Sequence, residues 1–338
     1  MILQEPVRHI LIVKLDHAGD VLWTTPALET LKNRFPSARL GYLCTPYTLP
    51  VLEGNPYIDD LLPHTGGEPY PADLPRPDLA LCLDTRTPAV KLTYASRARV
   101  RTGYYYFPRG LSVLWPLGLL THPFLHPASR GDYAHEVEVT HRLLQKLDCD
   151  EASAGETQLY FSAMEEIEAR DLLGYHGYRG GLLLAAHLPL KWLDGNWPAE
   201  HVTRLMWALQ ASQPDATLLL SCGPGEEDLL RSIEAELPPG TFCISGQSFR
   251  AWAAILKQCH LLLCRDCGPV HVAAAMGVPV VSIFEESKRK EHTRWEPWKI
   301  NHVNVFRPDR YAPPAEIVFA RETIKAAQKL LKAGKSAF

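Results

Sequence analysis

Short, almost wholly apolar runs alternate with segments of helical periodicity along this chain, and the whole alternation occurs twice. A brief apolar run bounded by turn residues marks a strand covered on both faces. Strands of that kind separated by helices join in parallel through crossovers. In the first half the spacing predicts strands over residues 9–14, 39–44 and 79–83, with helices over 21–35 and 135–147. In the second half it predicts strands over 181–186, 217–221, 261–264 and 279–284, with helices over 198–210, 226–236, 249–258 and 269–276. The expected fold class is therefore α/β, with two doubly wound parallel sheets. A chain of 338 residues also exceeds what one core comfortably supports. Glycines at 174, 177, 180 and 181 put the expected join near 165–180, giving domains at 1–170 and 171–338, with the C-terminal helix free to pack back on the first domain.

Apolar residues make up 46% and charged residues 22%, without a low-complexity tract, which excludes a disordered or fibrous chain. A net charge of −3 argues against a nucleic-acid partner. The charge is unevenly spread, however. Between Thr85 and Gly131 stand Arg86, Lys91, Arg97, Arg99, Arg101, Arg109 and Arg130, with no acidic residue. A segregated positive stretch suits an anionic small molecule or a membrane surface, or is simply a solvated face. Eight irregularly spaced cysteines, several inside apolar runs, fit a reducing cytoplasm better than a disulfide framework. The N-terminus shows no leader pattern. Residues 111–125 are apolar but too short for a span and broken by Pro116, Gly118 and Pro123, so a loop packed on the core is expected, with shallow bilayer contact as the functional alternative.

In doubly wound sheets ligands bind beyond the carboxyl ends of the strands, so two loops draw the search for chemistry. The first runs from Lys14 to Pro26, where Gly19 allows a tight turn and Asp20 stands at the expected helix start. Its carboxylate is either an N-cap or a group facing the ligand. The second is Arg265-Asp266-Cys267-Gly268-Pro269-Val270-His271, leading into a helix of small residues. Uncapped N–H groups at a helix start, together with the dipole, suit a diphosphate, and His271 one turn in offers a proton or a charge. Capping by Asp266, with Pro269 in the first turn, is the plainer reading of the same residues.

Taken in order, these segments resemble glycosyltransferase family 9, the ADP-heptose:lipopolysaccharide heptosyltransferases. The resemblance is carried by Gly19-Asp20-Val21 and Thr25-Pro26-Ala27, by Asn55-Pro56-Tyr57-Ile58-Asp59, by Asp266 to His271, by Gly277-Val278-Pro279 and by Trp295-Glu296-Pro297-Trp298, and spans about residues 9 to 300. It implies a GT-B fold of two Rossmann-like domains facing a central cleft. It implies inverting transfer of heptose from a nucleotide donor, ADP-heptose in the family, to a lipopolysaccharide-core or other lipid-linked glycan, with the nucleotide in the C-terminal domain. On matched positions Asp20 becomes the general base, and Asp266, Gly268 and His271 line the donor diphosphate. Lys191 contacts phosphate, and Glu226 or Glu227 approaches the ribose. Two positions depart from the family pattern. Cys267 replaces a Thr or Ser, a much weaker hydrogen-bond donor, and Lys191 lies six residues before Trp197-Pro198 instead of adjoining them.

An anionic glycan or glycolipid acceptor gives the basic stretch a purpose, with Arg86, Arg101 and Arg109 as the candidate contacts. It also places the protein in the cytoplasm, in peripheral contact with the inner membrane. No metal or other cofactor is expected. Cys264-x-x-Cys267 with Cys259, His260 and His271 nearby resembles a zinc cluster, but Cys264 should be buried in a strand and no second Cys pair completes the spacing. Asp148-Cys149-Asp150 resembles a metal-binding Asp-x-Asp, yet two acids at a helix end are commonplace. No Gly-x-Gly-x-x-Gly follows the first strand, which argues against a nicotinamide-dependent oxidoreductase. The rival from another class is a non-catalytic nucleotide-sugar-binding or scaffold protein.

Overall fold

The apolar runs fold as read because a residue such as Ile12 or Val13, with no solvent exposure, is covered from both sides of its sheet. The computed structural model describes residues 2–3, 6–65, 67–71, 74–107, 118–149 and 152–335. They form two compact units, 1–160 and 161–338. In the first, β1 (His9–Val13), β2 (Arg39–Cys44), β3 (Asp60–Pro63), β4 (Leu79–Cys82), β5 (Val100–Tyr105) and β6 (His122–Leu125) lie in the order β3-β2-β1-β4-β5-β6. In the second, β7 (Leu183–His187), β8 (Thr217–Ser221), β9 (Phe242–Ile244), β10 (Leu261–Arg265), β11 (Val280–Glu285) and β12 (His302–Arg307) lie in the order β12-β11-β10-β7-β8-β9. Every pairing among them is parallel. The two orders are the same doubly wound topology, the Rossmann-like pair of the GT-B class. Winding reverses between β1 and β4 in one unit and between β7 and β10 in the other, and such a reversal opens a crevice at the strands' carboxyl ends.

Four expectations about the elements change. The division falls at 160/161 because residues 163–175 are not a linker but the helix Ala163–Tyr175, started by a capping box in which Ser162 and Glu165 satisfy each other's backbone N–H groups. Gly174 lies in the last turn of that helix, and Gly177, Gly180 and Gly181 follow it, all at positive φ. Residues 122–125, expected as loop, form β6, whereas 111–117 and Arg109 lie outside the described residues. The C-terminal helix Pro313–Lys335 packs on β10, β11, β12 and the helix Glu200–Ser212 of its own unit, burying Phe319, Ala326, Ala327 and Leu330. The fourth concerns the helix after β1. Instead of one helix over 21–35 there is a five-residue helix, Ala18–Leu22, and then Thr25–Arg34. Pro26 has no N–H to give the Leu22 carbonyl, and the Thr25 hydroxyl donates to it instead, at 2.8 Å.

Candidate active site

The break moves Asp20. The short helix begins at Ala18 with His17 in the capping position, so Asp20 is the third residue of the first turn and not an N-cap. The reversal in the first sheet sets the loop that carries it beside the loop leaving β4. Asp84, two residues past β4, joins them: its fully buried carboxylate accepts the Leu15 N–H at 3.2 Å, the Arg86 N–H at 2.8 Å and the Arg86 Nη2–H at 2.7 Å. Burial pushes this carboxyl up, but the Arg86 hydrogen bonds and the Lys14 charge outweigh it and hold Asp84 below the ordinary carboxylate range. Arg86 extends on to Asp16 at 3.6 Å, and Lys14 lies 3.5 Å from the same carboxylate.

Asp20 sits in this field under the opposite balance. Burial pushes its carboxyl up to about 6, Lys14 pulls it down, and Asp16 and Glu136 push it up again. Lys14 loses to burial but gains more from Asp20, Asp16, Asp84 and Glu136, so its ammonium is held above its ordinary value. One loop cluster thus contains a carboxylate locked in its charged form and another that exchanges its proton near neutrality. Environments that drive two carboxyls apart in this way are the usual mark of an acid–base site. Burial thus outweighs Lys14 at Asp20, although the residue stands in the first turn of a helix.

At the second reversal, β10 ends at Arg265 and the helix Gly268–Ala275 begins after Cys267, so Cys267 and not Asp266 takes the capping position. No side chain caps this helix. The Cys267 thiol turns back to the Arg265 carbonyl at 3.1 Å and lies 3.5 Å from the Cys264 sulfur. Pro269 has no N–H, His271 is buried in the next turn, and Gly268 gives a ligand close access to the backbone. From β7 comes Lys191, whose Nζ donates to the Asp266 carbonyl at 2.8 Å. Burial raises the Asp266 carboxyl, against the charges of Lys191, Arg265 and Lys288. Glu226 accepts the Leu190 N–H at 2.9 Å and the Gly223 N–H at 3.0 Å, so it, and not Glu227 in the first turn of the next helix, is the acid tied to the Lys191 turn. Lys191, Glu226, Asp266, Cys267, Gly268 and His271 are therefore all on the loops and helix starts that follow β7, β8 and β10.

Of the basic candidates, Arg86 belongs to the first site. Arg101 does not: it is the second residue of β5, at the amino end of its strand, and its guanidinium donates to the carbonyls of Leu119 and Ala98, both at 2.8 Å. Sequence reasoning missed Asp84, Lys14 and Glu136. Asp84 was within reach, since it stands just past an apolar strand, like Asp20. Among the described residues no three His, Cys, Asp or Glu side chains are grouped as metal ligands; Asp148 closes a helical turn at φ 59° and Asp150 lies outside the described residues. No described helix is long and apolar enough to cross a membrane.

The family model for glycosyltransferase family 9 (heptosyltransferase) matches residues 75–318. The chain is 25% identical over 341 residues to lipopolysaccharide heptosyltransferase 3 of Escherichia coli, covering 93% of this chain and 96% of that protein. Among solved structures it resembles the glycosyltransferase family 9 protein of Veillonella parvula, with a TM-score of 0.80, 20% identity and coverage of 98% of this chain and 99% of that one. It also resembles the ADP-heptose lipopolysaccharide heptosyltransferase II of E. coli, with a TM-score of 0.75, 16% identity and coverage of 97% and 99%. Fold and family together define a glycosyltransferase of the GT-B class. Within that class, the chain belongs to glycosyltransferase family 9, the heptosyltransferases.

Proposed function

We propose that this chain transfers heptose from ADP-heptose to a glycan of the lipopolysaccharide core by a single, inverting displacement. The observation that carries the reading is Asp20, a carboxyl brought to about 6 at the reversal point of the first sheet. It is ionised at neutral pH yet basic enough to take a proton. Asp20 accepts the proton of an acceptor hydroxyl as that oxygen attacks the anomeric carbon, and the bond from that carbon to the diphosphate breaks, releasing ADP. Negative charge gathers on the diphosphate, where the uncapped start of Gly268–Ala275, Lys191 and His271 offset it. Arg86, held by Asp84, supplies a positive charge for an anionic acceptor. The lipid-linked acceptor places the reaction at the cytoplasmic face of the inner membrane. The test is production of ADP and a heptosylated core oligosaccharide by the purified protein; donor binding without turnover would leave a nucleotide-sugar-binding protein instead.

Two expected outcomes bear on the donor site. Asp266→Ala and His271→Ala should fold and lose affinity for ADP-heptose, since neither substitution removes a cap seen in the structure. Thermal shift reads this directly, because donor at a hundred times its Kd stabilises the protein by about 2.7 kcal/mol. Unchanged donor stabilisation in both variants would move the pocket elsewhere. The second outcome concerns metals: transfer should proceed in EDTA, since backbone N–H groups and cations already meet the developing charge. Activity abolished by chelator and restored by magnesium or manganese would overturn that.

A further inference from the structure

Lys191 departs from the family spacing, and the turn that carries it, Leu190–Asn196, is not a continuous helix: Asp194 is extended and Gly195 has φ 71°. Such a turn exposes carbonyls that no helix satisfies, and one buried side chain collects them. Arg307, the last residue of β12, donates from Nη1 to the Trp192 carbonyl at 2.7 Å. From Nη2 it donates to the carbonyls of Lys191 at 3.3 Å and Asp194 at 3.2 Å. Its guanidinium is fully buried and lies 4.6 Å from the centre of the Trp197 ring. The residues after it complete the hold. Trp197 Nε1 donates to the Pro308 carbonyl at 3.2 Å, and the Tyr311 N–H donates to the Gly195 carbonyl at 2.9 Å. A Cβ at Gly195 would collide with the Asp309 carbonyl.

We infer that Arg307 is a positioning residue for Lys191, its planar fork fixing the carbonyls of the turn so that the ammonium is delivered to the start of the Gly268–Ala275 helix. The inference rests on the proposed role of Lys191 at the donor diphosphate. Burial, and the nearby charge of Arg265, pull the Arg307 guanidinium down to about 9, so it remains a cation at neutral pH. A buried cation of this kind is costly unless its N–H groups are satisfied, and the carbonyls that take up its two Nη groups belong to the Lys191 turn, while the buried Nε–H has no partner. Lysine would keep the charge but lose the fork that spans three carbonyls.

The test is a cycle of ADP titrations on Lys191→Ala, Arg307→Lys and the double variant, each first shown to be folded. Lys191→Ala should weaken ADP about ten- to a hundredfold, as loss of a charged hydrogen bond does. Arg307→Lys should weaken it about tenfold in the parent and less than about twofold in the Lys191→Ala background, because a residue acting through another has nothing left to act on. Gly195→Ala, which displaces the turn from the other side, should show the same coupling and serves if Arg307→Lys does not fold. Equal effects in both backgrounds, or unchanged ADP affinity in folded Arg307→Lys, would overturn the inference while leaving Lys191 in place. Unchanged affinity in Lys191→Ala alone would remove both.

Discussion

Asp20→Asn is expected to fold, to bind ADP-heptose as the parent does, and to lose about 10²–10⁴-fold in turnover, the usual range for a general base. Asparagine keeps the shape and removes only the basicity. Because Asp20 is the third residue of a short helical turn and not its cap, no capping energy is lost with the charge. The parent's kcat/KM should fall tenfold per pH unit below about 6, where Asp20 is protonated, and that limb should be absent from the variant. Stability gives an independent readout. A carboxyl whose folded pKa is raised contributes stability that is present at low pH and is lost as pH rises through the folded value. The variant should therefore gain on the parent between about pH 4 and pH 6 and keep that gain above it. Near-parental turnover in Asp20→Asn would pass the role to His17 or Asp16.

The second large effect is expected at Asp84. Asp84→Ala removes a fully buried carboxylate and leaves Lys14 short of a counter-charge and the Leu15 N–H without its acceptor. Breaking a buried charged network of this kind costs about 3 kcal/mol, at the lower end of such losses because Arg86 is partly exposed and regains water. Denaturant unfolding checks the magnitude, and pH checks the mechanism. A carboxyl held below its ordinary value contributes stability present above the unfolded pKa, about 3.9, and lost as pH falls through the folded one. The parent should lose this contribution below about pH 4, and Asp84→Ala should not have it to lose. A variant as stable as the parent at pH 7 would mean that the two loops hold together without the carboxylate.

Of the twelve strands among the described residues, seven were legible as apolar runs: β1, β2, β4, β7, β8, β10 and β11. The others were not, for a common reason. β3, β6, β9 and β12 are the outermost strands of their sheets, paired on one side, and their residues are mostly only partly buried. β5 is internal but carries Arg101 among its first residues, and the basic stretch around it reads as surface. The placement of candidate residues was legible wherever a motif met a strand end, as at Asp20, Asp266 and His271. What stayed hidden was partnership. Nothing in the order of residues says that Asp84 grips the loop after β1 or that Arg307 grips the turn after β7, since each contact spans a chain separation that only the finished sheet closes.

Both crevices are products of strand order rather than of any side chain, because they appear wherever the winding of a sheet changes direction. Location is thus inherited with the connectivity, and chemistry is written separately in a few loop residues. That separation gives the loop after β10 latitude to drift. At Cys267 the hydroxyl typical of the family is gone and the thiol faces back toward the strand, yet the helix start it precedes remains open. A ligand anchored by main-chain N–H groups is indifferent to the side chain at that position. Substitution at position 267 should therefore be tolerated without rebuilding the scaffold, because the open N–H groups that follow it do not depend on its side chain.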